Sequence, residues 1–170
     1  MTISMYQASA PVYVQYLNSV AAVLDKGAAF AEARKLDPAM LLQTRLYPDM
    51  HPLVRQVQIF TDQATRGVSR LAGVEPPPFP DTETSFAELK ARIAKAAAFV
   101  QGIKPQQIDG SEDREIVMKT PRGDIHFKGQ QYLLGFSLPN FFFHATAVYA
   151  ILRHVGVEIG KMDFMGGQPR

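Results

Sequence analysis

The chain has 170 residues, 46% hydrophobic and 20% charged, with a formal net charge of +2. That suits one globular domain with its own core and gives no electrostatic case for nucleic acid or an anionic membrane. There is no cysteine, which excludes disulfides, thiolate metal sites and cysteine nucleophiles. No apolar run is long enough for a transmembrane helix and the start lacks signal-peptide character, so the cytoplasm is the expected location.

In chain order, residues 4–26 predict a first helix, because Val12, Tyr13, Tyr16, Val20, Val23 and Leu24 recur on one face. Pro11 either kinks this helix or marks its true start. Gly27 permits a break, but Ala28 to Arg34 can continue the helix. Asp37-Pro38 has the form of an N-cap with proline at the first helical position, opening a short helix over residues 38–42. Asp49 is the expected N-cap of the second long helix, which runs to about Ala72 and stops at Gly73. Its stripe is Leu53, Val57, Phe60, Ala64, Val68 and Leu71, with Gln56 and Gln63 beside it.

Residues 74–80 are proline-rich and predict a stiff extended connection inside one domain. Ser85 and Glu88 have capping-box spacing. The helix they open carries Phe86, Leu89, Ile93, Ala96, Ala97, Val100 and Ile103 on one face and ends at Lys104-Pro105. Ile116–Met118 and Ile125–Phe127 flank a Pro/Gly turn and predict a small hairpin lying on the helices. The last long helix extends at least from Pro139 to Val155, with Gly156 as its stop. The glycine-punctuated tail keeps enough apolar residues to pack back on the domain or on a partner. No internal repeat is present. The expected fold is all-α: one domain over residues 1–170, a four-helix bundle with the hairpin before its last helix.

Few residues carry chemistry. Asn140 and His144 lie one turn apart on the last helix and project from the same face, among Phe141, Val148 and Ile151. Two readings are open. They belong to a site inside the bundle, or Asn140 caps the helix and His144 is a hydrogen-bonded core histidine. His51 falls in the first turn of the second long helix, close to Asp49, where it either faces the pocket or, as the more ordinary case for a first-turn residue, is exposed. His126 is expected on the solvent side of its strand, and His154 at a helix end where a cation is favourable. No zinc-protease, phosphate-loop or nucleophile-elbow motif occurs. Phe141-Phe142-Phe143 must cover more than one helix face, so part of it is left for the tail or a second subunit.

Taken together, Asp49-Met-His-Pro-Leu-Val-Arg-Gln56, Arg70-Leu-Ala-Gly73, His126-Phe-Lys-Gly129, Leu138-Pro-Asn-Phe-Phe-Phe-His144, Ile151-Leu-Arg-His-Val-Gly156 and Gly160-Lys-Met-Asp-Phe164 resemble an uncharacterised bacterial domain-of-unknown-function family of the DinB/YfiT-like metalloenzyme superfamily. The resemblance covers nearly the whole chain. It implies an up-down-down-up four-helix bundle and a homodimer. It also implies a divalent metal, zinc or nickel, held by one histidine of the second long helix and a His-x-x-x-His pair on the last. Aligned on Leu152-Arg153 and Gly156, the second histidine of that pair falls on His144 and the first on Asn140. The remaining ligand falls on Gln56 or, less comfortably, His51. The metal candidates are therefore His144 and His51, and the ligand-binding candidates Gln56, Asn140 and His144. Amide oxygens are poor ligands for zinc or nickel. The resemblance thus leads to a small-ligand-binding bundle with a degraded metal site. The alternative is a metal-dependent enzyme, a thiol-dependent transferase or isomerase or a hydrolase.

Overall fold

A computed structural model describes residues 3–167. Helix α1 spans Ala10–Ala33, α2 Pro38–Leu42, α3 Leu53–Ala72, α4 Phe86–Gly102 and α5 Pro105–Ile108. Strands β1 (Glu115–Thr120) and β2 (Gly123–Lys128) form an antiparallel hairpin that pairs Ile116 with Phe127 and Val117 with His126. Helix α6 (Gly129–Tyr132), a π-helical turn over Leu133–Ser137 and α7 (Leu138–His154) follow as continuous helical backbone, and α8 (Lys161–Phe164) comes last. Among the described residues no helix is long and apolar enough to cross a membrane.

Local chemistry sets most of the boundaries. Pro11 lies in the first turn of α1 and marks its start, since a missing N–H costs nothing there. The Asp37 carboxylate accepts the Ala39 N–H at 2.9 Å, and Ser85 and Glu88 cap α4 reciprocally. Gly73 and Gly156 stop their helices at φ +68° and +101°, where a side chain would be strained. Asp49 is not an N-cap. Pro52 occupies that position, and Asp49 lies in a preceding turn closed by Met50 N–H on Tyr47 O. The reason is His51: a residue before proline is forced to extended backbone, so no helix can run through it. Pro105 does more than end α4, since it opens α5.

The last helix starts ten residues earlier than Pro139, at Gly129. In an α-helix the Pro139 ring would meet the carbonyl of Gly135. The π-helical turn widens the backbone there, and the Leu138 N–H reaches back to Leu133 O.

Side-chain contacts give each helix its direction. Gln56 meets His144, Phe60 stacks on Phe141 and Gly67 abuts Ser137, so α3 and α7 are antiparallel. Tyr13 meets Ser137 and Gly27 abuts Leu152, so α1 and α7 are parallel. Asp25 pairs with Lys90, near the start of α4, so α1 and α4 are antiparallel. Helices α3 and α4 are parallel, because Asp81 and Glu83, just before α4, reach Arg55 and Gln58 at the start of α3. The bundle is therefore up-down-down-up, in the cyclic order α1, α4, α3, α7. Parallel neighbours need a connection as long as a helix. The 20 residues of α3 span about 30 Å, and the whole connection between Ala72 and Phe86, with its extended proline stretch, is long enough to cover that length at about 3.1 Å per residue.

The core centres on Phe141, stacked on Phe60 at 4.5 Å and edge-on to Tyr13 at 4.8 Å. Burying each of these rings contributes about 2 kcal/mol. Tyr13 Oη pairs with Ser137 Oγ at 2.7 Å inside the core, and burial raises the Tyr13 phenol well above its ordinary pKa. A Cβ at Gly67 would lie 2.6 Å from that phenol oxygen. The tail packs back on α1: Ser19 Oγ donates to the carbonyls of Asp163 and Phe164, and Lys26 pairs with Asp163 at 2.6 Å.

Candidate functional site

The antiparallel pairing of α3 and α7 brings Gln56, in the first turn of α3, to His144, in the middle of α7. His144 Nδ1 lies 2.7 Å from Gln56 Oε1, and Gln56 Nε2 lies 3.2 Å from the His51 carbonyl. Donor and acceptor roles follow from this chain. The His51 carbonyl only accepts, so the Gln56 amide nitrogen faces it. The Gln56 oxygen then faces His144 and also only accepts, so Nδ1 carries the proton. Nε2 is left with a bare lone pair and makes no hydrogen bond among the described residues.

His144 is 9% exposed and Gln56 is buried. Burial, reinforced by repulsion from His51 and Arg55, lowers the His144 pKa to about 4. The imidazole is neutral at physiological pH. Its Nε2 is a weak base but an available hydrogen-bond acceptor.

An apolar groove of about 350 Å³ runs alongside, lined by Leu46, Met50, Phe142, Phe143, Ala147 and Ala150, among others. Phe143 joins the two features, its ring edge-on to His144 at 5.3 Å. Ala147 lies one turn beyond His144 on the same side of α7. Phe143 is 57% exposed. Of the three consecutive phenylalanines, Phe141 is core, Phe142 packs on Tyr16 and Phe143 faces out.

Asn140, His126 and His154 do not converge on this pair, whereas His51 lies beside it. Asn140 turns back on its own helix, its amide donating to Phe136 O at 2.8 Å. His51 is exposed and contributes its carbonyl to the chain of hydrogen bonds. His126 is exposed beside Glu115, and His154 is exposed at the end of α7.

This donor set does not fit a resident zinc or nickel ion. Gln56 Oε1 is taken by the His144 N–H and Asn140 is committed to a backbone carbonyl. The Arg55 guanidinium, close enough to depress the His144 pKa, also opposes a cation. Among the described residues no group of three or more His, Cys, Asp or Glu is placed to hold a metal.

Sequence reasoning missed Arg92. Its side chain is 1% exposed, and it pairs with Asp62 at 2.7 Å, Glu83 at 3.0 Å and Asp81 at 3.1 Å. It also donates to Thr61 Oγ1 and Pro80 O. Arg92 thus pins the proline-rich connection to α3 beside Arg55, which is itself paired with Asp81. The available signal was position: Arg92 lies three residues after Leu89, within the buried stripe of α4.

No curated protein matches the chain. The crystal structure of a DinB family member protein from Shewanella denitrificans is similar: 37% identity, 97% of this chain and 93% of that one covered, and a TM-score of 0.89. Residues 5–165 match the family model described as domain of unknown function DUF1993. The chain belongs to that family, and its fold is DinB-like.

Proposed function

We propose that the protein binds a small amphipathic ligand in the groove between α7 and the loop that precedes α3, beside the Gln56–His144 pair, at a DinB-like site that does not suit a metal. The observation that carries this reading is the hydrogen-bond chain from the His51 carbonyl through Gln56 to His144 Nδ1. It holds a neutral imidazole in one tautomer with one acceptor atom unpartnered among the described residues, and the ring abuts Phe143, which lines the apolar groove. Such a site takes a ligand with an apolar body and one O–H or N–H donor. The metal-dependent alternative needs further donors around His144, and its neighbours are an occupied amide and positive charge.

Two measurements test the reading. Protein purified without a metal-affinity tag is expected to carry only trace metal by elemental analysis. Near-stoichiometric zinc or nickel that is lost in His144→Ala would restore the metal-dependent alternative. Titration with phenol and indole, each a donor on an apolar ring, is expected to give saturable NMR shifts at Phe143, Ala147 and His144. The same shifts should be absent in Ala147→Leu, which fills the groove. No saturable shift with either probe sinks the proposal. The homodimer is part of the same proposal, with Phe143 as the aromatic it would cover, and a monomeric mass in solution would remove it.

A further inference from the structure

The opposite end of α3 holds a second cavity, this one polar, about 20 Å from Gln56 along the helix axis and independent of the reading above. Its volume is about 330 Å³, and Arg66, Ser69, Arg70, Val74, Glu75 and Pro76 line it. Three observations single it out. Ser69 is 1% exposed and its hydroxyl has no hydrogen-bond partner among the described residues. A buried hydroxyl without a partner is destabilising, so natural proteins rarely leave one. Arg70 is held in place by Tyr132, donating to its Oη at 2.8 Å and lying over its ring at 5.5 Å. That uses one of the guanidinium's five N–H groups. Arg66 pairs with Asp62 Oδ2 at 2.9 Å, but Asp62 Oδ1 is taken by the buried Arg92, so one carboxylate answers two arginines.

These cations are not needed to close the helix end. Ser69 O already accepts the N–H groups of Gly73 and Val74, and Arg114 donates to Leu71 O. The opposing charge at the cavity is Glu75, which is exposed. We propose that this cavity binds the oxyanion of a small molecule, a carboxylate or phosphate group. Arg66 and Arg70 supply the charged donors and the Ser69 hydroxyl a neutral one. The cavity is larger than an inorganic anion, and Val74 and Pro76 offer apolar wall for a short organic body.

The test is NMR titration of the full chain with inorganic phosphate and with acetate at constant ionic strength, observing arginine side-chain N–H groups and the Ser69 amide. The expected result is a saturable shift at Arg70 and Ser69 with at least one of the two anions, and the stronger binder identifies the group. Arg66→Ala, at an exposed side chain, and Arg70→Lys are each expected to weaken binding about tenfold, as for loss of charge-assisted hydrogen bonds. Ser69→Ala separates the idea from a merely structural serine. If the hydroxyl awaits a ligand, the variant melts higher than the wild type without anion and binds phosphate or acetate several-fold more weakly. Linear shifts that persist unchanged in the arginine variants would overturn the proposal, as would a Ser69→Ala protein that melts lower and binds the anion as well as the wild type.

Discussion

Arg92 and His144 are both polar side chains buried between helices, one in the α3–α4 seam and the other in the α3–α7 seam. Arg92 is answered on every side by carboxylates of three residues, a hydroxyl and a backbone carbonyl. It fixes the proline-rich connection, without which α3 and α4 could not be parallel neighbours. Among the described residues His144 is answered on one side only: Gln56 accepts the Nδ1–H and no group donates to Nε2. The difference separates architecture from a candidate site. A buried group with every donor and acceptor matched has nothing left to offer a ligand. A buried group with one atom unmatched does.

Four experiments can break or sharpen that contrast. The largest effect is expected from Arg92→Leu, which leaves Asp62 with Arg66 alone and the Glu83 carboxylate with only the Gln58 amide in the seam. A loss of about 3–5 kcal/mol in urea unfolding is expected, and a loss below 1 kcal/mol would mean the network is ornamental. Next comes pH. The His144 pKa is about 4 in the fold against 6.5 ordinarily, so between those values the unfolded chain holds the extra proton. The stability this group contributes is full above pH 6.5 and is lost as pH falls toward 4. Wild-type stability should therefore drop more steeply over that window than that of His144→Gln, and equal slopes would contradict the assignment.

Gln56→Leu should cost less, about 1–2 kcal/mol, by stranding the buried Nδ1–H. It should also release the imidazole to mix its tautomers, which ring ¹⁵N shifts would show. The smallest effect belongs to Asn140→Ala. Its amide serves only its own helix, so stability should move by less than about 0.5 kcal/mol and the His144 ring signals should stay put. A shift at His144 would return Asn140 to the site.

The helices were legible because their signals are local. The stripes of α1, α3 and α4, the Ser85–Glu88 box and the stops at Gly73 and Gly156 each depend on residues within a few turns. The beginning of the last helix was not legible. Pro139 reads as a barrier to any helix upstream, and only a change of backbone pitch over Leu133–Ser137 lets the helix pass. Asp49 misled for a related reason, since the restriction that Pro52 places on His51 outweighed a favourable cap. The site was half legible. Periodicity places His144 at the edge of a buried face, but which residue meets Nδ1 depends on helix pairing and direction. Arg92 was invisible because its partners Asp81 and Glu83 come from a connection whose path only the fold determines. Asn140 shows the remaining limit, because position on a helix face does not say whether an amide reaches outward or back to the preceding turn.

The most direct test of the central claim is the long-range ¹⁵N spectrum of the His144 ring between pH 5 and 7, recorded on protein as purified. A neutral imidazole with Nδ1 protonated and Nε2 bare across that range is the predicted result. An imidazolium at pH 6, an Nε2–H tautomer, or an Nε2 signal displaced by bound metal would contradict it.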